Sequence, residues 1–453
     1  VVQQRIFMSK LMRSVSGIRG VVGDSLTPQV LFSHTKAFLE ITNAKKIVIG
    51  RDSRPTGEAI VQMVSGFCRL CGVDVIDAGL ATTPSVEILV TELKADAGII
   101  ITASHNPLEW NALKFLNAKG LFLGPDDVKK LFALADEGKF SFPDYKEMGA
   151  YEFLEDADSV HIQGTLAIPF VDVQAIRKAK FKVAIDAVNG AGSLIVPRLL
   201  EELGCDVVRV HCSPNGNFPR GAEPIPEHLG DLSKAVLENN CAVGFALDPD
   251  ADRCAIVCGE GRAIGEEYTL AIATEEVLSK KPGNVCINLS TSRMNEDVAE
   301  KYGCKCSRAK VGEINVSLQM MEESCVIGGE GNGGVILPAL HYGRDSLVAV
   351  ALVLSWMARH NGGPEKFVKE NPSYAMPKKK FELCSKSVAE ILPLVKQEFS
   401  GWNSDERDGL WLSHEKSWVH VRASNTEPVI RVIAEASTQE EAERLCAQVE
   451  KLI

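Results

Sequence analysis

The sequence predicts an α/β protein: three similar α/β domains with mixed sheets, followed by a smaller C-terminal α+β domain. Two observations carry this. A strand–helix–strand cassette recurs three times, each time followed by one more apolar strand that stops at a polar loop. Beyond Asn371 the cassettes give way to short strands and a terminal helix.

In the first cassette a strand at residues 46–50 leads through a helical stretch to Cys71, and Gly72 opens a strand reaching Ile76. The second pairs residues 182–186 with a helix around 195–203 and a strand opened by Gly204. The third pairs 284–288 with a helix around 295–302 and a strand opened by Gly303. Glycine at that place suits a left-handed helix cap. The following strands run into TASHNP (102–107), DPDADR (248–253) and GGEGNGG (328–334). Alternating strands and helices imply sheets covered by helices, with ligands at the carboxyl ends of the strands. The three loops are therefore expected at equivalent places.

The C-terminal domain is expected to carry strands near 411–412, 418–421 and 429–434, and a helix over 438–452 whose first turn holds Glu440 and Glu441. A fourth polar loop, RASNTEP (422–428), lies between two of these strands. The expected domains are 8–155, 156–256, 257–370 and 371–453. Residues 1–7, ahead of a candidate start at Met8, are left out of the fold argument.

Composition narrows the function classes. Across 453 residues, 45% hydrophobic and 24% charged content suit a globular protein with a large core. A net charge of -11 argues against broad binding of nucleic acid or anionic membrane. No apolar stretch approaches the roughly 18 residues of a membrane span, and no secretory signal is read. The 13 cysteines are irregularly spaced, as expected in a reducing cytoplasm. Cys68 and Cys71 sit in a helical pattern and read as apolar fillers.

Each loop suggests a chemistry. Asp248, Asp250 and Asp252 alternate after a buried strand. Carboxylates this close repel unless a cation lies among them, and hard oxygen ligands suit Mg²⁺ or Ca²⁺. An EF-hand would need Gly and Glu where this chain has Arg253 and Gly259; the remaining alternative is a solvated acidic turn. In GGEGNGG, the G-x-G-x-x-G spacing does not open a helix, which disfavours a dinucleotide site. Glu330 and Asn332 would suit vicinal hydroxyls, the alternative being a flexible turn. RASNTEP combines Arg422 with Ser424, Asn425 and Thr426, a set suited to phosphate or to a salt-bridged turn. Lys114, and Arg19 in the Gly-bounded turn SVSGIRG, could stabilise charge or move a proton near such a site. Ser104 beside His105 raises the question of a nucleophile with its own base.

These four loops, in this order, resemble those of the α-D-phosphohexomutase superfamily from about Ser14 onward. The resemblance implies a four-domain, heart-shaped enzyme that interconverts hexose 6-phosphates and 1-phosphates through a sugar bisphosphate. It implies that Ser104 is the phosphorylated residue. Asp248, Asp250 and Asp252 would bind Mg²⁺ with a phosphoserine oxygen. Arg253 would lie against the phosphoserine or the substrate, with Lys114 and Arg19 near the reaction centre and Lys114 a candidate acid or base; His105 is read as steadying the loop or touching the phosphate and not as a triad base for Ser104. Glu330 and Asn332 would hold sugar hydroxyls. Arg422, Ser424, Asn425 and Thr426 would grip the non-reacting phosphate.

One departure stands out. Many bacterial members read Gly-Glu-x-Ser-Gly-His, whereas this chain has Asn332 and Gly334 at the last serine and histidine positions. The form GEGNGG, followed by HYGRD (341–345), resembles phosphoglucosamine mutases and phosphomannomutase-like members. Glucosamine phosphate is therefore the expected substrate, with mixed phosphomannomutase/phosphoglucomutase specificity or a non-catalytic sugar-phosphate binding protein as alternatives. The expected partners are sugar phosphate and bisphosphate only, on a monomer or homodimer. The fourth domain is expected to swing, so that the bisphosphate can turn. No G-x-S-x-G and no G-x-x-x-x-G-K-[ST] occurs, against a serine hydrolase or a P-loop kinase.

Overall fold

The computed structural model describes residues 10–383, 386–423 and 429–453. The first sheet contains β1 (Met12–Ser14), β2 (Gly17–Val21), β3 (Lys46–Arg51), β4 (Asp74–Leu80), β5 (Ala97–Ile101), β6 (Trp110–Asn117) and β7 (Tyr151–Phe153), in the order β1-β2-β6-β5-β3-β4-β7. The second contains β8 (Lys182–Asp186), β9 (Asp206–Val210), β10 (Val243–Leu247) and β11 (Cys254–Cys258), ordered β11-β10-β8-β9. The third contains β12 (Val285–Asn288), β13 (Cys306–Ala309), β14 (Ile327–Glu330) and β15 (Gly334–Ile336), ordered β13-β12-β14-β15. The C-terminal sheet of β16 (Lys378–Glu382), β17 (Asn403–Asp405), β18 (Leu410–His414), β19 (Ser417–Ala423) and β20 (Val429–Glu435) is wholly antiparallel, ordered β16-β20-β19-β18-β17. Three α/β domains with mixed sheets and a fourth with an antiparallel sheet are the architecture the sequence predicts.

The cassettes explain where the loops go. β5, β10 and β14 each pair parallel with the first cassette strand on one side and antiparallel with the returning strand on the other. Each polar loop thus leaves the same topological position. The strands are apolar because helices cover both faces; β5 and β10 are buried throughout. Gly72, Gly204 and Gly303, with φ of 79°, 76° and 66°, end their helices in the left-handed region. At the C-terminal helix Gln439–Glu450, Thr438 Oγ1 accepts from Glu441 N at 3.2 Å.

Two local expectations are corrected. Arg19 lies within strand β2, paired to β6 with Arg19 opposite Ala112, and not in a turn. The glycine run is not one long loop: β14 extends through Gly328 and Gly329 to Glu330, and β15 starts at Gly334, leaving a turn of residues 331–333. Pairing across the sheet overrides the weak strand preference of glycine here.

The second and third domains share a continuous core that includes Ile162, Phe245, Leu270 and Trp356, through the buried helix Ser346–His360. The fourth domain packs its own, around Ile391, Val419, Val432 and Leu445. Among the described residues, no helix is long and apolar enough to cross a membrane.

Candidate active site

A cavity of about 730 Å³ opens where the four domains meet. Ser104, His105, Arg19, Lys114, Arg253, Glu330, Asn332 and Arg422 all line it. Ser424, Asn425 and Thr426 lie outside the described residues.

Ser104 follows β5 and takes the left-handed conformation, φ 46°, with its side chain buried. Its hydroxyl donates to Asp248 Oδ2 at 3.2 Å. His105 Nδ1 is 3.5 Å away, at the edge of hydrogen bonding. Burial, reinforced by the Arg253 and Arg19 cations, pushes the His105 imidazole down to about 2. Its Nε2 faces Glu223 at 3.7 Å, beyond hydrogen-bond distance; with one contact at the limit and the other past it, His105 does not have the geometry of a hydrolase-type triad. Arg19 Nη1 donates to Asn106 Oδ1 at 2.9 Å, tying β2 to the serine loop.

That loop hangs on a residue the sequence reading missed. Buried Arg54 donates to the carbonyls of Ser104 (2.7 Å), Asn106 (2.7 Å), Pro107 (2.6 Å) and Trp110 (3.2 Å). Asp52 orients it through a bond of 3.1 Å to Nε, and also accepts from Thr102 Oγ1 at 2.6 Å. Thr102 Oγ1 in turn accepts from Ser104 N at 3.0 Å.

Asp248, Asp250 and Asp252 are fully buried, each offering an oxygen within 4.8 Å of the others. Burial and the two neighbouring carboxylates raise Asp248 well above the usual carboxylate range. Burial would raise Asp250 too, but Lys114 Nζ and Thr83 Oγ1, each 2.7 Å from Oδ2, hold it below that range. Lys114 keeps its charge despite burial because Asp250 and Asp252 face it. Asp250 Oδ1 and Asp252 Oδ1 are buried without a hydrogen-bond partner among the described residues. Unsatisfied carboxylate oxygens in a converging set fit a hard divalent cation such as Mg²⁺. Arg253 Nε approaches Asp248 and Asp252 at 3.9 and 3.7 Å, screening the cluster from the cavity side.

In the third domain, Glu330 Oε1 accepts from Asn288 Nδ2 at 2.7 Å and from Gly312 N at 2.9 Å. Arg344 donates to Glu330 Oε2 at 2.8 Å. Asn332 Oδ1 is buried and without a partner among the described residues. In the fourth domain, Arg422 is only the outer member of a row. Arg422 on β19 pairs with Arg431 on β20, which pairs with Lys380 on β16. Directly opposed residues share a sheet face, so three cations stand side by side along the cavity. Period-2 alternation from Arg431 was the signal available in the sequence. Arg54 and Asn288 gave none, since their partners lie far along the chain.

Four domain families cover the chain in order. Phosphoglucomutase/phosphomannomutase α/β/α domains I, II and III match residues 10–142, 160–261 and 265–374, and the C-terminal domain of the same family matches 379–452. The chain belongs to the phosphoglucomutase/phosphomannomutase family. It is therefore a phosphohexomutase, an isomerase that moves a phosphoryl group within a hexose phosphate. A probable phosphoglucosamine mutase of Methanopyrus kandleri is 33% identical over 434 residues, 95% of each chain. A phosphoglucomutase/phosphomannomutase of Thermococcus kodakarensis is 35% identical over 437 residues, 94% of each. The crystal structure of a phosphoglucomutase/phosphomannomutase family protein from Burkholderia thailandensis superposes with a TM-score of 0.84 at 25% identity, covering 97% of each chain.

Proposed function

We propose that this phosphohexomutase carries its phosphoryl group on Ser104 and acts preferentially on glucosamine phosphate. The observation that carries the site assignment is the convergence, in one cavity, of Ser104, the sugar-type polar pair Glu330 and Asn332, and the Arg422–Arg431–Lys380 row. A hexose phosphate needs these three recognitions at once: a reacting end, hydroxyls, and a distal phosphate.

Phosphoserine 104 gives its phosphoryl group to the free O1 or O6 hydroxyl of the sugar; the P–Oγ bond breaks as the P–O(sugar) bond forms. Lys114, protonated on Asp250, supplies a proton to the departing Ser104 oxygen and is restored by the proton that the attacking sugar hydroxyl gives up, so the step is proton-neutral. Arg253 and Arg19 balance negative charge on the phosphoryl group. A Mg²⁺ held by Asp248, Asp250, Asp252 and the phosphoserine would supply further neutralisation of the transferring oxygens. Glu330 and Asn332 orient the ring. The basic row holds the other phosphate, and because it reads phosphate more than sugar it serves both orientations of the bisphosphate. The second half-reaction returns the other phosphate to Ser104.

The glucosamine preference rests on the GEGNGG and HYGRD segments and on the name of the Methanopyrus relative. The Thermococcus relative's name favours a second reading, mixed glucose and mannose phosphate specificity. A reducing cytoplasm fits the described cysteines, all of which are unpaired. Steady-state rates on glucosamine, glucose and mannose 6-phosphates, primed with the matching bisphosphate, decide between the readings. We expect kcat/KM for glucosamine 6-phosphate to lead by tenfold or more; equal or reversed values would establish the mixed enzyme.

A further inference from the structure

The departure at Gly334 has a partner ten positions on in the chain. A Cβ built on Gly334 would lie 2.3 Å from Cδ and 2.9 Å from Cγ of Arg344. No real Cβ tolerates the first distance, and the Arg344 stem has no freedom to retreat. Its guanidinium is pinned by three carboxylates: Nε donates to Glu313 Oε2 at 2.9 Å, Nη1 to Glu330 Oε2 at 2.8 Å, and Nη2 to Asp252 Oδ2. The side chain is almost wholly buried, yet borders the active cavity.

The three carboxylates come from different machinery. Asp252 belongs to the metal-type loop of the second domain, Glu330 ends the strand that carries the sugar loop, and Glu313 begins the helix Glu313–Glu322. By taking Asp252 Oδ2, Arg344 leaves Oδ1 as the unsatisfied oxygen. By taking Glu330 Oε2, it fixes the carboxylate whose other oxygen is already held by Asn288 and Gly312. A guanidinium can do this because it is planar, permanently charged and presents several donors in a fixed fork; an ammonium cannot bridge the same three groups.

We propose that Arg344 is a positioning residue that locks the sugar-binding carboxylate to the metal loop, and that residue 334 is glycine to leave room for it. The proposal rests on phosphohexomutase activity but not on the choice of sugar. Two readouts test it: kcat and KM on whichever hexose 6-phosphate is turned over best, and Mg²⁺ affinity by titration calorimetry without sugar. Thermal melts confirm folding of each variant. Arg344→Ala should lower kcat at least 100-fold and weaken Mg²⁺ at least tenfold, and Arg344→Lys should recover less than a tenth of the lost kcat. Gly334→Ala, a milder change that keeps the arginine, should reproduce both defects by displacing it. In the Gly334→Ala/Arg344→Ala double variant the alanine at 334 should add less than twofold. Multiplicative losses in the double variant would overturn the coupling. Wild-type kcat and Mg²⁺ affinity in folded Arg344→Ala or Gly334→Ala would overturn the positioning role. Loss of sugar preference alone moves neither readout.

Discussion

Ser104 sits in a backbone conformation that costs an L-residue about 1–2 kcal/mol, and Arg54 is the residue that holds it there. Four loop carbonyls converge on one guanidinium, so the turn is defined by a buried charge and not by its own sequence. Removing that charge would leave buried carbonyls without their donor and the buried Asp52 carboxylate without its cation, at a cost of about 3 kcal/mol. We predict that Arg54→Met loses 100-fold or more in kcat with KM changed less than threefold, because the serine is misplaced while the sugar and phosphate sites remain. Arg54→Lys should fall between the two. A parallel rise in KM under steady-state assay would place Arg54 in substrate binding instead. Nothing in the segment Asp52-Ser53-Arg54 announces this role, since the partners of Arg54 are backbone atoms about 50 residues away that only the β3–β5 pairing brings near.

At the scale of elements, the parts legible in the sequence were those with local causes. Short aliphatic strands, glycine caps and the Thr438 cap are written in neighbouring residues, and they appear where expected. The β14–β15 hairpin and the β2 strand carrying Arg19 were not legible, because glycine pairing and hairpin register are decided across the sheet. The same holds for a clamp between helices. Asp345 caps helix Ser346–His360 through Oδ1, which accepts from Leu347 N at 2.7 Å. Its Oδ2 accepts from His161 at 2.7 Å and His341 at 3.0 Å. His341 Nδ1 lies 3.3 Å from Glu87 on helix Thr83–Glu92 of the first domain. Burial opposes a charge on His341, but Asp345 and Glu87 outweigh it and push the imidazole up to about 10. A folded value above the unfolded one stabilises fully below the unfolded value of about 6.5 and is lost as pH rises through about 10. His341→Gln should therefore cost about 3 kcal/mol at pH 6. Denaturant titrations should show the gap to wild type narrowing steadily toward pH 10; a gap that stays constant with pH would remove the charge from the explanation.

The whole molecule divides its tasks by how its cores are built. The second and third domains pack as one body, which would hold the proposed metal loop and the proposed sugar loop in a fixed relation. The fourth domain has a separate core and meets the third largely through polar links. Ser290 bonds His420 at 2.8 Å, Asp408 accepts from Val311 N at 3.0 Å, and Lys378 pairs with Glu266 at 2.9 Å. In the proposed mechanism the phosphate grip therefore sits on the domain with its own core, the part that would move as the bisphosphate turns. In the proposed mechanism a single serine oxygen, that of Ser104, shuttles phosphoryl groups for the whole assembly. The direct measurement is to incubate the protein with Mg²⁺ and hexose 1,6-bisphosphate labelled with ³²P, quench, digest and map the label. The account predicts one phosphate per chain, on Ser104, chased off by unlabelled hexose phosphate at a rate compatible with turnover and absent in Ser104→Ala. Label on any other residue, or full turnover by Ser104→Ala, would contradict it.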